Sequence, residues 1–213
     1  MSALARTPIL ILLGLAALAW AVTVERMWGM DEGSDTDLGG LGWYLGFWVT
    51  MTAAMMLPTT VRVAREVSFA VGYLAAWTLF GLAAYLVFQT GTSVKVAGAL
   101  VVAAALYQLT PLKQRSLQRC RRVSEDGAMR AGVVHGLDCV GSSGGLMVAL
   151  FALGAMSILW MAIVAAAIFA EKVLPHGLRV SLFVAAALLL LGIWVMVSPG
   201  TVPGLAEPME MAS

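Results

Sequence analysis

Charged side chains are scarce in this sequence, and their scarcity excludes a soluble fold. Only 12% of the 213 residues are Asp, Glu, Lys or Arg, whereas hydrophobic residues make up 61%. A soluble domain carries about 25% charged and about 45–50% apolar residues. So few charges cannot cover the surface of a water-soluble fold of this size, and lipid must be the solvent for much of the chain. We therefore predict an integral membrane protein.

Cysteines and catalytic motifs are also few. The two cysteines, Cys120 and Cys139, do not make a disulfide framework. The sequence has no H-E-x-x-H, no G-x-S-x-G, no phosphate loop and no run of carboxylates inside its apolar stretches. These absences argue against a hydrolase or a nucleotide-driven pump, and we expect no enzyme. The net charge of +1 gives no indication of a nucleic-acid partner.

Seven apolar stretches are long enough to cross a bilayer, which takes about 20 mostly apolar residues. We expect each to be a helix, because backbone groups in lipid must be paired internally. The predicted spans are 8–24, 41–58, 67–89, 94–110, 133–153, 156–174 and 180–197. The fifth and sixth are separated only by a short turn at 154–157, since one helix of about 40 residues would overshoot the bilayer twofold. Residues 1–197 then form one all-α transmembrane domain, and 198–213 a disordered tail.

The distribution of basic residues predicts the orientation of this domain. With the N-terminus inside, only Arg26 and Lys95 of the 13 basic residues fall on the outer side. Such a bias is expected on the cytoplasmic face, and it would collapse if one span were wrong. We therefore predict a cytoplasmic N-terminus in a bacterial inner membrane. The inner basic residues are Arg6, Arg62, Arg65, Lys113, Arg115, Arg119, Arg121, Arg122, Arg130, Lys172 and Arg179.

Side chains able to bind a metal gather at the cytoplasmic ends of the second, fourth, fifth and sixth spans and in the adjoining basic loop. They bring sulfur, imidazole, amide and carboxylate groups toward one layer of the membrane. This convergence in depth is the strongest functional indication in the sequence. The residues are Met55, Met56, Gln108, Cys120, His135, Cys139 and Glu171.

Sulfur ligands select soft ions, since thiolate and thioether favour Cu(I) and thiolate also suits zinc. We predict four sulfur ligands with His135 as a secondary ligand, and Gln108 and Glu171 as groups that support the ligands. The structural alternative is that the methionines fill the core and that the cysteines are inert small residues. No C-x-x-C pair is present. The sulfur ligands of the hypothesis are Met55, Met56, Cys120 and Cys139.

Three stretches resemble a bacterial family of predicted metal-binding integral membrane proteins, described as a domain of unknown function. The resemblance extends from about the second span to the seventh, and the stretch YQLTPLK at 107–113 is its most specific part. It implies a helical membrane fold and metal binding. Cys120-Arg121 follows the stretch at 107–113. The other two stretches are MMLP at 55–58, and residues 136–147 followed by Trp160-Met161 and EKVLP at 171–175.

The chain departs from the family pattern at several positions. The pattern has further cysteines where this chain has Ser116, Ser142 and Ser143, and a tryptophan at Gly144. Serine is a poor ligand for soft metals, so the resemblance leaves two readings. Either a full thiolate site has been lost, or metal is bound through the remaining cysteines and the methionines.

Three functions therefore remain open. The leading one is binding or handling of a soft transition metal, copper ahead of zinc. A second is a non-catalytic membrane subunit or assembly factor that has lost the metal site and packs on a membrane-protein partner or on a second copy of itself. A third is a small-solute or ion transporter, although buried charges and a polar path to the outer face, which a transporter needs, are sparse.

Overall fold

The computed structural model describes residues 3–27, 40–61, 63, 66–88, 93–122, 128–154, 157–174 and 177–198. The described residues form helices without strands, which confirms the all-α prediction. Within these described ranges the helix count is eight rather than about seven. The orientation of the N-terminus stays a prediction, and the predicted tail lies outside the described residues from 199 onward. The helices are α1 (Ala3–Met27), α2 (Leu41–Thr60), α3 (Val67–Phe88), α4 (Val94–Gln108), α5 (Pro111–Cys120), α6 (Ala128–Ala152), α7 (Ile158–Val173) and α8 (Gly177–Val197).

The additional helix is α5, in a segment whose sequence we interpreted as a basic loop. A proline disfavours helical backbone in the residue before it, and Thr110 accordingly has extended backbone at φ −71° and ψ 145°. Its hydroxyl accepts a hydrogen bond from the backbone N–H of Lys113, so Thr110 caps α5 while Pro111 occupies the first turn. The chain bends by 68° between α4 and α5. This bend turns α5 back across the end of the bundle.

Each of the other seven helices overlaps one predicted span. By length and composition, α1, α3, α6 and α8 are able to cross a membrane, and the bent pair of α4 and α5 makes a fifth candidate. The 16 residues of α7 extend about 24 Å, short of a hydrocarbon core of about 30 Å. In α2, half of the residues are buried inside the bundle, and Trp48, Thr52 and Thr60 are among them, so these three side chains need not face lipid. Seven full crossings therefore remain a prediction.

The predicted turn between the fifth and sixth spans is confirmed. Helix α6 ends at Ala152 and α7 begins at Ile158. Gly154 adopts a φ of 102°, a left-handed backbone that glycine reaches without a steric penalty. This reversal places α7 beside α6 and brings the end of α7 to the level of Cys139, near the middle of α6.

Glycines set the close approach of α3 to α6. A methyl group on Gly132 would collide with the backbone of Phe69, and one on Gly136 would meet the Tyr73 carbonyl and the methyl of Ala76. Small residues of this kind let two helix backbones pack directly on each other. The tight contact brings the start of α6 against the start of α3.

Aromatic rings fill the bundle at the end opposite α5. Tyr44 and Trp48 of α2 pack on Phe151 near the end of α6, with ring centroids 6.2 and 5.4 Å apart. Trp48 Nε1 donates to the Trp77 carbonyl at 2.8 Å. The described residues at this end thus form an apolar core, whereas the polar side chains lie toward α5.

Candidate metal centre

Two thiols and an imidazole meet where α5 crosses the start of α6. The Sγ atom of Cys120, the last residue of α5, lies 3.6 Å from Nε2 of His135. Cys139 follows His135 by four residues on α6 and therefore shares its helix face. All three side chains are buried. Two thiols and an imidazole from two helices therefore lie in one buried region of the bundle.

Cys139 has two further polar neighbours. The Nζ atom of Lys172, near the end of α7, donates to Cys139 Sγ at 2.5 Å. The hydroxyl of Tyr73 on α3 lies 2.8 Å from the same sulfur. An ammonium group is a suitable counter-charge for a thiolate. We call the set Cys120, His135, Cys139, Lys172 and Tyr73 the thiol cluster.

The donor set of the thiol cluster decides which metal it fits. Among the described residues, no group of three or more His, Cys, Asp or Glu side chains is placed to hold a metal ion. A structural zinc site takes four such ligands in a tetrahedron. Cu(I) is softer, prefers thiolate sulfur and is satisfied by two ligands. The residues present therefore suit Cu(I) as an exchangeable ion better than tightly held zinc.

A second buried cluster lies beside the first. Lys113 Nζ on α5 lies 2.9 Å from Glu171 Oε2 on α7, and their side chains are 0% and 1% exposed. Gln108 Nε2 donates to Glu171 Oε1 at 3.2 Å, and Lys113 Nζ donates to Ser181 Oγ on α8 at 2.6 Å. We call Gln108, Lys113, Glu171 and Ser181 the ion-pair cluster. It ties four helices together at the end of the bundle where α5 lies.

The two clusters share both α5 and the end of α7. Lys113 and Cys120 stand at opposite ends of α5, while the adjacent residues Glu171 and Lys172 contact one cluster each. Arg121 adds a third link, because its Nη2 donates to the backbone carbonyls of Glu171 and Leu174. The position of Cys120 therefore depends on how firmly α5 is held against α7.

The predicted residues separate into three groups. Cys120, Cys139 and His135 meet in the thiol cluster, whereas Gln108 and Glu171 lie in the ion-pair cluster, where their described contacts hold α5. Met55 and Met56 are buried on α2, which packs mainly against α1, α3 and α7. The methionines stay predicted ligands.

Three serines lie around the thiol cluster. Ser142 and Ser143 are 2% and 1% exposed on α6, and Ser116 lies one turn before Cys120 on α5. Ser142 Oγ donates to the Cys139 carbonyl at 3.0 Å. A methyl group on Gly141 would meet the Ser116 side chain, so α5 and α6 touch here through small residues. These hydroxyls therefore act in packing and in local hydrogen bonds.

Sequence reasoning did not assign roles to several residues of these clusters. Lys113 belongs to the recognised stretch at 107–113 and Lys172 follows Glu171, but neither was expected to contact its present partner. Tyr73 and Ser181 stand in ordinary apolar stretches with no local pattern to mark them. The one available signal was Lys172, a charged residue at the end of an otherwise apolar helix, because a charge inside a membrane needs a partner.

The fold and the two clusters define a class of protein, an all-α bundle of apolar helices with two thiols and an imidazole buried inside it. The chain belongs to the PpoB2 copper chaperone family, whose model matches residues 45–195. This match covers every residue of both clusters. No curated protein and no solved structure matches the chain significantly.

Proposed function

We propose that this protein is a membrane-embedded copper carrier that binds Cu(I) as cargo at the thiol cluster. The observation that supports it most directly is the buried contact of Cys120 with His135, with the buried thiol of Cys139 one turn from His135 on α6. The family's description as a copper chaperone agrees with this donor set. We propose Met55 and Met56, at the same end of the bundle, as additional thioether ligands while the copper ion enters or leaves the site.

Charge balance supports a singly charged ion. Two thiolates and one Cu(I) carry a net charge of −1, and the ammonium of Lys172 beside Cys139 brings the sum to zero. Buried charge is costly unless it is paired. A divalent ion on the same ligands would leave an excess positive charge. The site therefore favours Cu(I) over zinc in the buried setting.

A carrier needs an acceptor rather than a catalytic group. We propose that the protein performs no catalysis and passes copper by ligand exchange to a membrane-protein partner or within a homo-oligomer. The proposed location is a bacterial cytoplasmic membrane, with the thiol cluster near the inner face. Four or five helices long and apolar enough to span a bilayer support a membrane location.

Metal content of the detergent-purified chain tests the proposal. Cells are grown with copper and zinc, and metal is counted per protein by mass spectrometry after anaerobic purification. We expect close to one copper per chain, lost in Cys120→Ser and in Cys139→Ser. Ser142→Ala is the matched control, because it alters the same face of α6 without removing a sulfur, and it should retain copper. Unchanged copper in both cysteine variants, or zinc in place of copper, would refute the proposal.

A further inference from the structure

A cleft of about 320 Å³ opens where α5 meets the start of α8, outside both clusters. We propose that this cleft binds the phosphate headgroup of an anionic phospholipid, with an acyl chain along α8. The proposal goes beyond copper binding and rests only on the proposed membrane location. The polar lining residues are Gln114, Gln118, Arg121 and Arg179, and the apolar ones are Leu117 and Leu178.

The polar part of the cleft is suited to an anion. Its lining residues include two arginines and two amide side chains and, among the described residues, no carboxylate. Arg121 donates hydrogen bonds from Nη2 to the Glu171 and Leu174 carbonyls. The other N–H groups of its guanidinium take no part in those two hydrogen bonds. Arg179 is exposed in the first turn of α8. Two guanidinium groups on one small cleft match a phosphate in both charge and hydrogen-bond geometry.

The apolar part of the cleft continues along a lipid-facing surface. Leu178, which lines the cleft, is 59% exposed, and Leu182 lies one turn further at 51%. Phe183 next to it is 76% exposed. These side chains belong to a helix apolar enough to span a membrane. A free phosphate or an acidic peptide would occupy only the polar half, whereas a phospholipid fits both halves.

The position of the cleft along the helix agrees with a headgroup. The cleft lies at the first residues of α8, so it falls at one end of a candidate span rather than at its middle. In the predicted topology this end faces the cytoplasm, where anionic lipids attract basic residues. Basic pockets between membrane helices on this side are a recurrent site for lipid headgroups.

A lipid titration of the full chain tests the proposal. The protein is purified and delipidated in a neutral detergent, and bound lipid is counted by native mass spectrometry with phosphatidylglycerol and, separately, phosphatidylcholine. We expect discrete binding of phosphatidylglycerol and little of phosphatidylcholine. Arg179→Gln should weaken phosphatidylglycerol binding about fivefold, the factor expected for one basic residue near an anionic surface. Copper content should not change in this variant, which separates the cleft from the thiol cluster.

Arg115→Gln is the matched control, because it removes the same charge from an exposed position of α5 outside the cleft. It should bind phosphatidylglycerol like the native chain. An equal loss in Arg115→Gln and Arg179→Gln would overturn the proposal in favour of general electrostatic attraction. Equal binding of phosphatidylcholine, or complete displacement of the lipid by millimolar inorganic phosphate, would also overturn it, the latter in favour of a free-anion site.

Discussion

Breaking the ion pair between Lys113 and Glu171 should destabilise the protein more than any surface charge change. Glu171→Gln leaves the ammonium of Lys113 buried, with Ser181 Oγ at 2.6 Å and a neutral amide as partners. Removing one partner of a buried pair costs about 3–5 kcal/mol, because the remaining charge loses its compensation. For a chain of this size, this corresponds to a fall in thermal midpoint of roughly 6–20 °C.

Removing both charges should cost far less. In Lys113→Met/Glu171→Leu, neither desolvated charge remains, and replacing a buried pair by apolar residues is often neutral or stabilising by about 1–4 kcal/mol. The double variant should therefore unfold near the native midpoint, above both single variants. Its copper affinity should nevertheless fall, because the contact that orients α5 and hence Cys120 is gone.

Tryptophan fluorescence during heating in detergent measures these midpoints, since the chain has seven tryptophans. The matched control is the ion pair of Arg119 with Asp138, 3.6 Å apart, whose arginine is 63% exposed. Arg119→Gln should change stability by about 0–1 kcal/mol. A Glu171→Gln midpoint equal to that of Arg119→Gln, or a double variant less stable than both singles, would refute the reasoning.

Three further predictions follow from individual contacts. Lys172→Met should weaken Cu(I) binding about tenfold or more in a chelator competition, because a charge-assisted contact with Cys139 contributes about 1.5–3 kcal/mol. Lys172→Arg should retain more of the affinity. Equal affinities in the native chain and both variants would contradict the charge-balance argument. Thr110→Ala should cost about 1 kcal/mol in thermal unfolding through loss of the α5 cap, whereas Thr110→Ser should not, and a native midpoint for Thr110→Ala would count against the cap. Gly136→Ala should lower the thermal midpoint by forcing α3 away from α6. Gly14→Ala, which has open space around it, should raise the midpoint slightly because alanine has the higher helix propensity. A midpoint change of the same sign in both variants would show that α6 does not approach α3 so closely.

Local sequence patterns were sufficient for the helices themselves. Apolar stretches and their polar or glycine-containing breaks predicted the positions of seven of the eight described helices and the turn at Gly154. The eighth, α5, also had a local signature, because Thr110-Pro111 is a helix cap followed by a first-turn proline. It was missed because that segment was interpreted as a basic loop that either sets topology or meets a partner or anionic lipid headgroups.

The sequence also predicted that the candidate metal ligands gather at one end, because helix lengths and turns set the depth of each residue. It did not determine which of them touch. Gln108 and Glu171 are 63 residues apart, and Tyr73 and Cys139 are 66 apart, so their contacts depend on which helices are neighbours and how each is rotated about its axis.

Glu171 and Lys172 show why only the tertiary structure decides such partners. Adjacent residues of a helix point about 100° apart, so these two opposite charges cannot face each other. Packing turned one toward Lys113 and the other toward Cys139. The chemistry of the residues and their depth follow from local sequence, whereas the assembly of a thiol cluster beside a separate ion-pair cluster follows from close glycine contacts between α3 and α6 and from the bend into α5.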